Sequence, residues 1–278
     1  MNALASLLDL DRLTHVVDIG ASPLDGPPPY QPLLDAGLCR VTGFEPDPAT
    51  CAELNDCKGS YETYFPYAIG DGREHILHVC ANPGWTSLFQ PSAAALECFP
   101  YFKPKARVLR REPVQTQRLD ELALDAVDFL KMDIQGSELA ALNSGAATLR
   151  NVAAVQLEMQ FINLYEGQPA LGEVDQELRW QGFIPHAFFT LKKWPISPLR
   201  FGDDATRPFN QLLEADVVYV RDFTRPDGIA SNQLKHLAMI SHACYGSADL
   251  AGRCIELLEK RRALPEGSVG EYIEILKG

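Results

Sequence analysis

The sequence has little that would pair, ligate or span. Its seven cysteines are an odd number, and no two of them form a CxxC pair. That excludes a disulfide framework and a thiolate zinc site as readings, and leaves reduced thiols in a cytoplasmic protein. The six histidines include no HxH or HExxH spacing, so no metal is expected. There is no GxSxG elbow to support an acyl-enzyme. No apolar run has the length of a membrane span, and "MNALASLLDLDRL" lacks the basic start of a signal peptide. It reads as a short amphipathic helix. Positive charge is scarce: 25 Lys and Arg face 37 Asp and Glu, for a net charge of −12. Such a surface repels nucleic acids and anionic membranes, so neither is expected as a partner. The single basic stretch, "KPKARVLRR" (103–111), reads as a solvated edge strand.

What is present is an alternation. Apolar strand-like runs occupy 14–21, 39–46, 61–71, 127–134 and 151–159. Several are nearly continuous in apolar residues, as parallel strands buried on both faces are. Helical stretches lie between them, at 30–37, 48–57, 137–150 and 170–182. Prolines before Tyr30 and a glycine at Gly37 bound the first, and Ser137 is placed to cap the third. This order predicts an α/β fold with a doubly wound, mostly parallel sheet. Two later strands, 182–191 and 214–223, have no helix between them and predict an antiparallel pair at one sheet edge. Helices fill the chain from about Ser231. With 278 residues, one large domain with additions is expected: 1–224 as the main unit, its core at about 14–191, and 225–278 as a C-terminal helical extension.

In open parallel sheets the ligand sits beyond the carboxyl ends of the strands. The first strand ends in "VVDIGASPLDGPPPY" (16–30). Gly20 follows the strand, but the further glycines of a pyrophosphate cradle are missing, and three prolines delay the next helix. The pattern suits a nucleoside ligand without phosphates; the alternative is a tight turn and nothing more. Glu45 ends the second strand, 25 residues after Gly20, where an acid can accept both ribose hydroxyls. The alternative is a solvated carboxylate. Together the two residues point to S-adenosylmethionine. Asp71, in "AIGDG" (68–72), would contact an adenine amine or serve a hairpin turn leading into "EHILHVCA".

Two further carboxylates end the fourth and fifth strands. Asp133 lies in "KMDIQGSEL" and Glu158 in "QLEMQF". Over a cofactor site, such a pair can act as general base and as acceptor-positioning group. Their structural alternatives are a helix cap for Asp133 and a buried backbone partner for Glu158. Glu138 reads equally as a first-turn acid favoured by the helix dipole. His186, on the sixth strand, is a further catalytic candidate. The segment 193–214 is too long for a tight hairpin and carries Trp194, Phe201 and Phe209, which fits a lid over an acceptor.

Taken in series, "VVDIGA", "GFEPDP", "AIGDG", "TSL" (86–88), "LDEL" (119–122), "DFLKMDIQGSEL", "LNSGAATL", "VQLEMQFINLY" (155–165) and "LRWQGF" resemble the FkbM family of S-adenosylmethionine-dependent methyltransferases. The resemblance covers about 14–191. It implies a class I methyltransferase (Rossmann-like) fold and transfer to oxygen, usually a hydroxyl of a sugar, glycan or secondary metabolite. The cofactor set it implies is Asp18, Gly20, Ala21, Ser22, Glu45, Pro46, Asp47, Ile69, Asp71 and Asp133. One departure is Ser22-Pro23 and a longer loop to Gly26, where the family commonly has Asn-x-Gly. Two other classes compete. A nicotinamide-dependent oxidoreductase would need the pyrophosphate loop that is missing here. A non-catalytic module would bind an adenosyl ligand, or a partner through the late helices, without turnover.

Overall fold

The central strand Thr14–Ile19 is buried along its whole length, and the helix Pro48–Cys57 starts at a capping Asp47 followed by a proline. The computed structural model describes residues 1–22 and 26–277. Pro23, in the departure noted above, lies outside the described residues. The helices are α1 (Asn2–Leu8), α2 (Gln31–Asp35), α3 (Pro48–Cys57), α4 (Ala93–Cys98), α5 (Glu138–Ser144), α6 (Ala146–Leu149), α7 (Leu171–Trp180), α8 (Ser231–Tyr245), α9 (Ala248–Lys260) and α10 (Ser268–Lys277). The strands are β1 (Thr14–Ile19), β2 (Cys39–Phe44), β3 (Glu62–Phe65), β4 (Ala68–Ile69), β5 (Glu74–Cys80), β6 (Val108–Gln117), β7 (Phe129–Met132), β8 (Ala154–Gln160), β9 (Phe183–Phe188), β10 (Lys192–Lys193) and β11 (Leu212–Arg221).

The main sheet runs β3-β2-β1-β7-β8-β11, with β9 and β10 both paired to β11. Strands β1, β2, β3, β7 and β8 are parallel, and β11 is antiparallel to its neighbours. This is the doubly wound class I methyltransferase order, with the last strand inserted antiparallel beside the fifth. The two late strands β9 and β11 form the antiparallel pair expected at that edge of the sheet, and β10 also pairs with β11. Strand β11 inserts between β8 and β9, and its segment Val217–Val220 is buried on both faces. An edge position would leave one side of that apolar run in water.

Three expectations are corrected. The stretch 61–71 is two strands in two sheets, because Pro66 cannot continue a ladder and Tyr67 turns back to bond the Phe65 carbonyl. "EHILHVCA" does not form a hairpin with "AIGD": β5 pairs with β6, which lies in the middle of a separate sheet ordered β4-β6-β5. The basic stretch that runs into β6 is thus solvated but not at an edge. The helix expected over 137–150 breaks at Gly145, where a Cβ would sit 2.6 Å from the Leu119 side chain.

Each sheet face has its own core. On one side Val17, Ile19, Met132, Leu157 and Val217 pack under α5 and α7. On the other, Val16, Phe129, Ala154 and Val218 pack against Leu234, Leu237 and Ile240 of α8 and against Ile255 and Leu258 of α9. Packing thus runs across residue 224, and the C-terminal helices cover a face that the five-residue α2 could not cover alone. Among the described residues no helix is long and apolar enough to cross a membrane.

At the amino end of the sheet a buried polar knot ties β1 to α8. Arg12 donates to both oxygens of Asp128 at 2.5 and 2.8 Å, and the His15 amide donates to the same carboxylate. His236 is fully buried beside them, with Nδ1 3.1 Å from Thr14 Oγ1 and Nε2 without a partner. Burial pushes its pKa down to about 4. Its folded value is below the unfolded one, so the unfolded chain takes up the proton first as pH falls below about 6.5. Lowering the pH from 7 to 5 should therefore cost about 2 kcal/mol through this residue alone. Urea unfolding at both pH values checks it: His236→Gln should show a shallower loss than the native chain, and equal slopes would assign the loss to other groups.

Candidate functional site

The sheet register builds the site. The last fully paired row across the parallel strands is Phe65, Phe44, Ile19, Met132 and Leu157, with Val217 opposite Leu157. All but Phe65 belong to the core under α5 and α7. Successive residues of a strand face opposite ways. The next residue of each strand therefore turns toward the other face at the open end of the sheet. Those residues are Glu45, Gly20, Asp133, Glu158 and Asp216. Backbone bonds continue the row: Glu45 N donates to Phe65 O, Gly20 N to Phe44 O and Asp133 N to Ile19 O, at 2.9–3.0 Å.

Gly20 and Asp133 are locked together. Gly20 has φ +79°, and a Cβ there would sit 2.0 Å from the Asp133 carbonyl oxygen. Only glycine lets β1 end beneath that carbonyl. Beside them Lys131 places its ammonium 3.0 Å from Asp18 Oδ1 and donates to the Gly20 carbonyl at 3.2 Å. Tyr30 donates to Asp18 Oδ2 at 2.7 Å. Burial works against the Lys131 charge, but Asp18, Asp133 and Asp216 outweigh it and raise its pKa.

Glu45 is buried, and desolvation raises its pKa. Its Oε1 accepts the Asp47 amide at 2.9 Å, and its carboxylate also accepts the Ser22 amide across the loop. Ala21 packs with Cys51 and Tyr64. The other members of the implied cofactor set have local work. Asp47 caps α3 through the Thr50 amide at 2.8 Å, with Pro48 in the first turn. Pro46 links Glu45 to that cap. Ile69 lies in the core, and Asp71 holds His75 Nε2 at 2.8 Å and the Arg73 amide at 3.0 Å. Phe44, Phe65 and Tyr67 form a three-ring cluster with centroids 5.8–6.3 Å apart, and Phe65 and Tyr67 are partly exposed.

Asp133 and Glu158 are brought together, as neighbouring strand ends predict. The bridge between them is Gln135. Its amide nitrogen donates to Asp133 Oδ1 at 2.8 Å and to Glu158 Oε1 at 3.1 Å. Its carbonyl accepts Tyr165 OH at 2.8 Å. Glu158 Oε1 also accepts from Gln160 at 3.2 Å, and Gln168 donates to Gln160 in turn. Burial first, and Asp133 second, raise the Glu158 pKa well above the carboxylate range. The turn that carries Gln135 is left-handed at two successive residues, Gln135 and Gly136 (φ 51° and 101°). It is held by Ser87 Oγ on the Gln135 carbonyl and by Glu138, which accepts the Ile134 and Gly136 amides. Glu138 is buried and its pKa is pushed up to about 7 by that burial, so it works as a brace of the turn. Farther along the edge Lys192 donates to Glu214 at 2.8 Å.

His186 is not brought to this cluster. It sits on β9, on the far side of β11 from β8, and its Nε2 lies 2.8 Å from Ser247 Oγ at the α8–α9 turn. The segment after β10 is anchored by Trp194 against Phe102, at 4.6 Å between rings, and leaves Leu199, Phe201 and Phe209 exposed. Sequence reasoning gave no part to Lys131, Gln135 or Tyr165. All three lie inside the quoted motifs, one or two residues from an acid or in the loop behind it. Their signal was polar residues where apolar ones would be expected. Among the described residues no group of three or more His, Cys, Asp or Glu side chains is placed to hold a metal ion.

Residues 18–185 match the family model described as "Methyltransferase FkbM domain". A curated relative, the 2-O-methyltransferase NoeI of Sinorhizobium fredii, is 28% identical over a stretch covering 55% of this chain and 66% of that protein. Among solved structures, the magnesium protoporphyrin IX methyltransferase of Synechocystis with bound SAM aligns over 80% of this chain and 77% of its own, at 12% identity and TM-score 0.40. The methyltransferase FkbM of Methylobacillus flagellatus aligns over 75% of this chain and 43% of its own, at 16% identity and TM-score 0.40. The site's order along the chain, from Asp18 to Glu158, falls wholly within the matched stretch, and the chain belongs to the FkbM family of S-adenosylmethionine-dependent methyltransferases.

Proposed function

We propose that the chain is an O-methyltransferase whose acceptor is a hydroxyl of a sugar, glycan or secondary metabolite. One observation carries this reading: Asp133 and Glu158 stand side by side, bridged by Gln135, in the same register row as Gly20 and Glu45. The relative named as a 2-O-methyltransferase supports oxygen as the acceptor atom.

The residues present fit the cofactor. Gly20 lets the end of β1 lie flush against the Asp133 carbonyl at the open end of the sheet, and Lys131, Asp18 and Tyr30 stiffen that strand end. Glu45 is a buried acceptor for the ribose hydroxyls, and the Phe65–Tyr67 stack beside it offers an apolar wall for adenine. When bound, S-adenosylmethionine supplies an electrophilic methyl group on a positive sulfonium. A positive charge nearby favours an ionised carboxylate. Asp133, next to Gly20, is assigned as the base that orients the acceptor hydroxyl and takes its proton. Glu158, one strand farther out, positions the acceptor. Holding the two reactants in line supplies much of the rate enhancement in such a site.

Glu45→Ala should weaken S-adenosylhomocysteine binding by roughly 10- to 100-fold, since hydrogen bonds to a charged group contribute about 1.5–3 kcal/mol. Calorimetric titration with unchanged affinity would remove Glu45 from the site. The activity itself can be read without a known acceptor, by incubating the protein and cell extract with methyl-labelled cofactor. Label should pass into small polyhydroxylated molecules, and Asp133→Asn should slow that transfer by roughly 10²- to 10⁴-fold, the range for loss of a general base. Label found only in protein or nucleic acid would overturn the proposed acceptor class.

A further inference from the structure

Gln135 is the least expected residue of the site. It is not glycine, yet its φ is +51°, a conformation that costs energy for a side-chain-bearing residue. Its position is over-determined: Ser87 Oγ holds its carbonyl at 2.6 Å and Tyr165 OH holds its side-chain oxygen at 2.8 Å. The amide nitrogen is the end that meets Asp133 and Glu158, and it is the end that an ionised carboxylate, which can only accept, requires. Tyr165, fully buried, occupies the oxygen and so fixes that orientation.

Two carboxyls held close in a buried site do not both ionise readily. Left to themselves they share one proton, as paired aspartates do. An amide nitrogen between them changes this, because it donates one hydrogen to each and stabilises both charged forms. We propose that Gln135 is a positioning residue: its side-chain amide, oriented by Tyr165, keeps Asp133 and Glu158 from closing onto one shared proton, so that base and acceptor-positioning group stay distinct. This rests on the reading that the pair faces the methyl donor.

Other charges act on the pair from every side. Lys131 on β7 and Lys192 on β10 favour ionisation. Glu138 of α5 and Glu214 of β11 oppose it. Asp216, also on β11 and opposite Glu158 in register, is a further acid beside the pair and acts on Lys131. These groups remain in place when residue 135 or 165 is changed, so they set the background and not the difference between variants.

The test needs no acceptor. S-adenosylmethionine is positive at sulfur and S-adenosylhomocysteine is neutral there, so the ratio of their dissociation constants reports carboxylate ionisation nearby. In the native chain the preference for the cation should rise with pH and show a midpoint. Gln135→Met keeps the volume and removes both donors, which should move that midpoint up by about one pH unit, the scale of one hydrogen bond to a charged group. Tyr165→Phe should move it in the same direction by less, and should have no effect in the Gln135→Met background. A native ratio that is flat from pH 5 to 9 would contradict the reading that the carboxylates face the sulfonium. A native ratio that titrates, with the same midpoint in Gln135→Met or with an undiminished Tyr165→Phe effect in that background, would overturn the role of Gln135. Should Gln135→Met not fold, an unmoved midpoint in Tyr165→Phe overturns it alone.

Discussion

The carbonyl of Asp133 occupies the place where any side chain at residue 20 would begin. A Cβ at Gly20 would be 2.0 Å from that oxygen, well inside contact distance. This one approach joins the end of β1 to the end of β7. It brings the loop that would meet the cofactor and the carboxylate that would meet the acceptor within one residue of each other. The neighbouring pairs depend on it. Lys131 reaches both Asp18 and the Gly20 carbonyl only because the two strand ends lie flush. Beyond Asp133 the chain turns left-handed and delivers the Gln135 amide to Glu158.

The cost of the arrangement is electrostatic. Glu45, Glu138, Glu158 and Glu214 are all buried enough for desolvation to raise their pKa values. Unpaired buried carboxylates are expensive, so each is given a donor: backbone amides for Glu45 and Glu138, side-chain amides for Glu158, an ammonium for Glu214. A site with this excess of carboxylates is electrostatically suited to a cationic cofactor such as S-adenosylmethionine.

Much of this was legible in the sequence because strand ends carry a simple signal. An apolar run followed by a glycine or an acid marked Gly20, Glu45, Asp133 and Glu158, and the register later put them in one row. The layout of the last strands was less legible. Nothing local in "EADVVYVRDF" says that it inserts between two earlier strands; that is decided by which strand offers two apolar faces to cover. Pro66 and Gly145 did carry signals, a missing donor and a missing Cβ, and both were passed over inside longer periodic runs. Gln135 and Tyr165 were the least legible. Their meaning lies in a contact between residues 30 apart, and neither residue type announces a carboxylate bridge. His186 shows the converse: a histidine on a strand draws notice, and its partner is a serine at a helix turn.

The most direct measurement is a crystal structure of the chain with S-adenosylhomocysteine. The account predicts the ribose hydroxyls on Glu45, the adenine against Phe65 and Tyr67, and the sulfur over Gly20 facing Asp133 and Glu158. A ligand bound with its ribose away from Glu45, or with its sulfur turned from the two carboxylates, would contradict it.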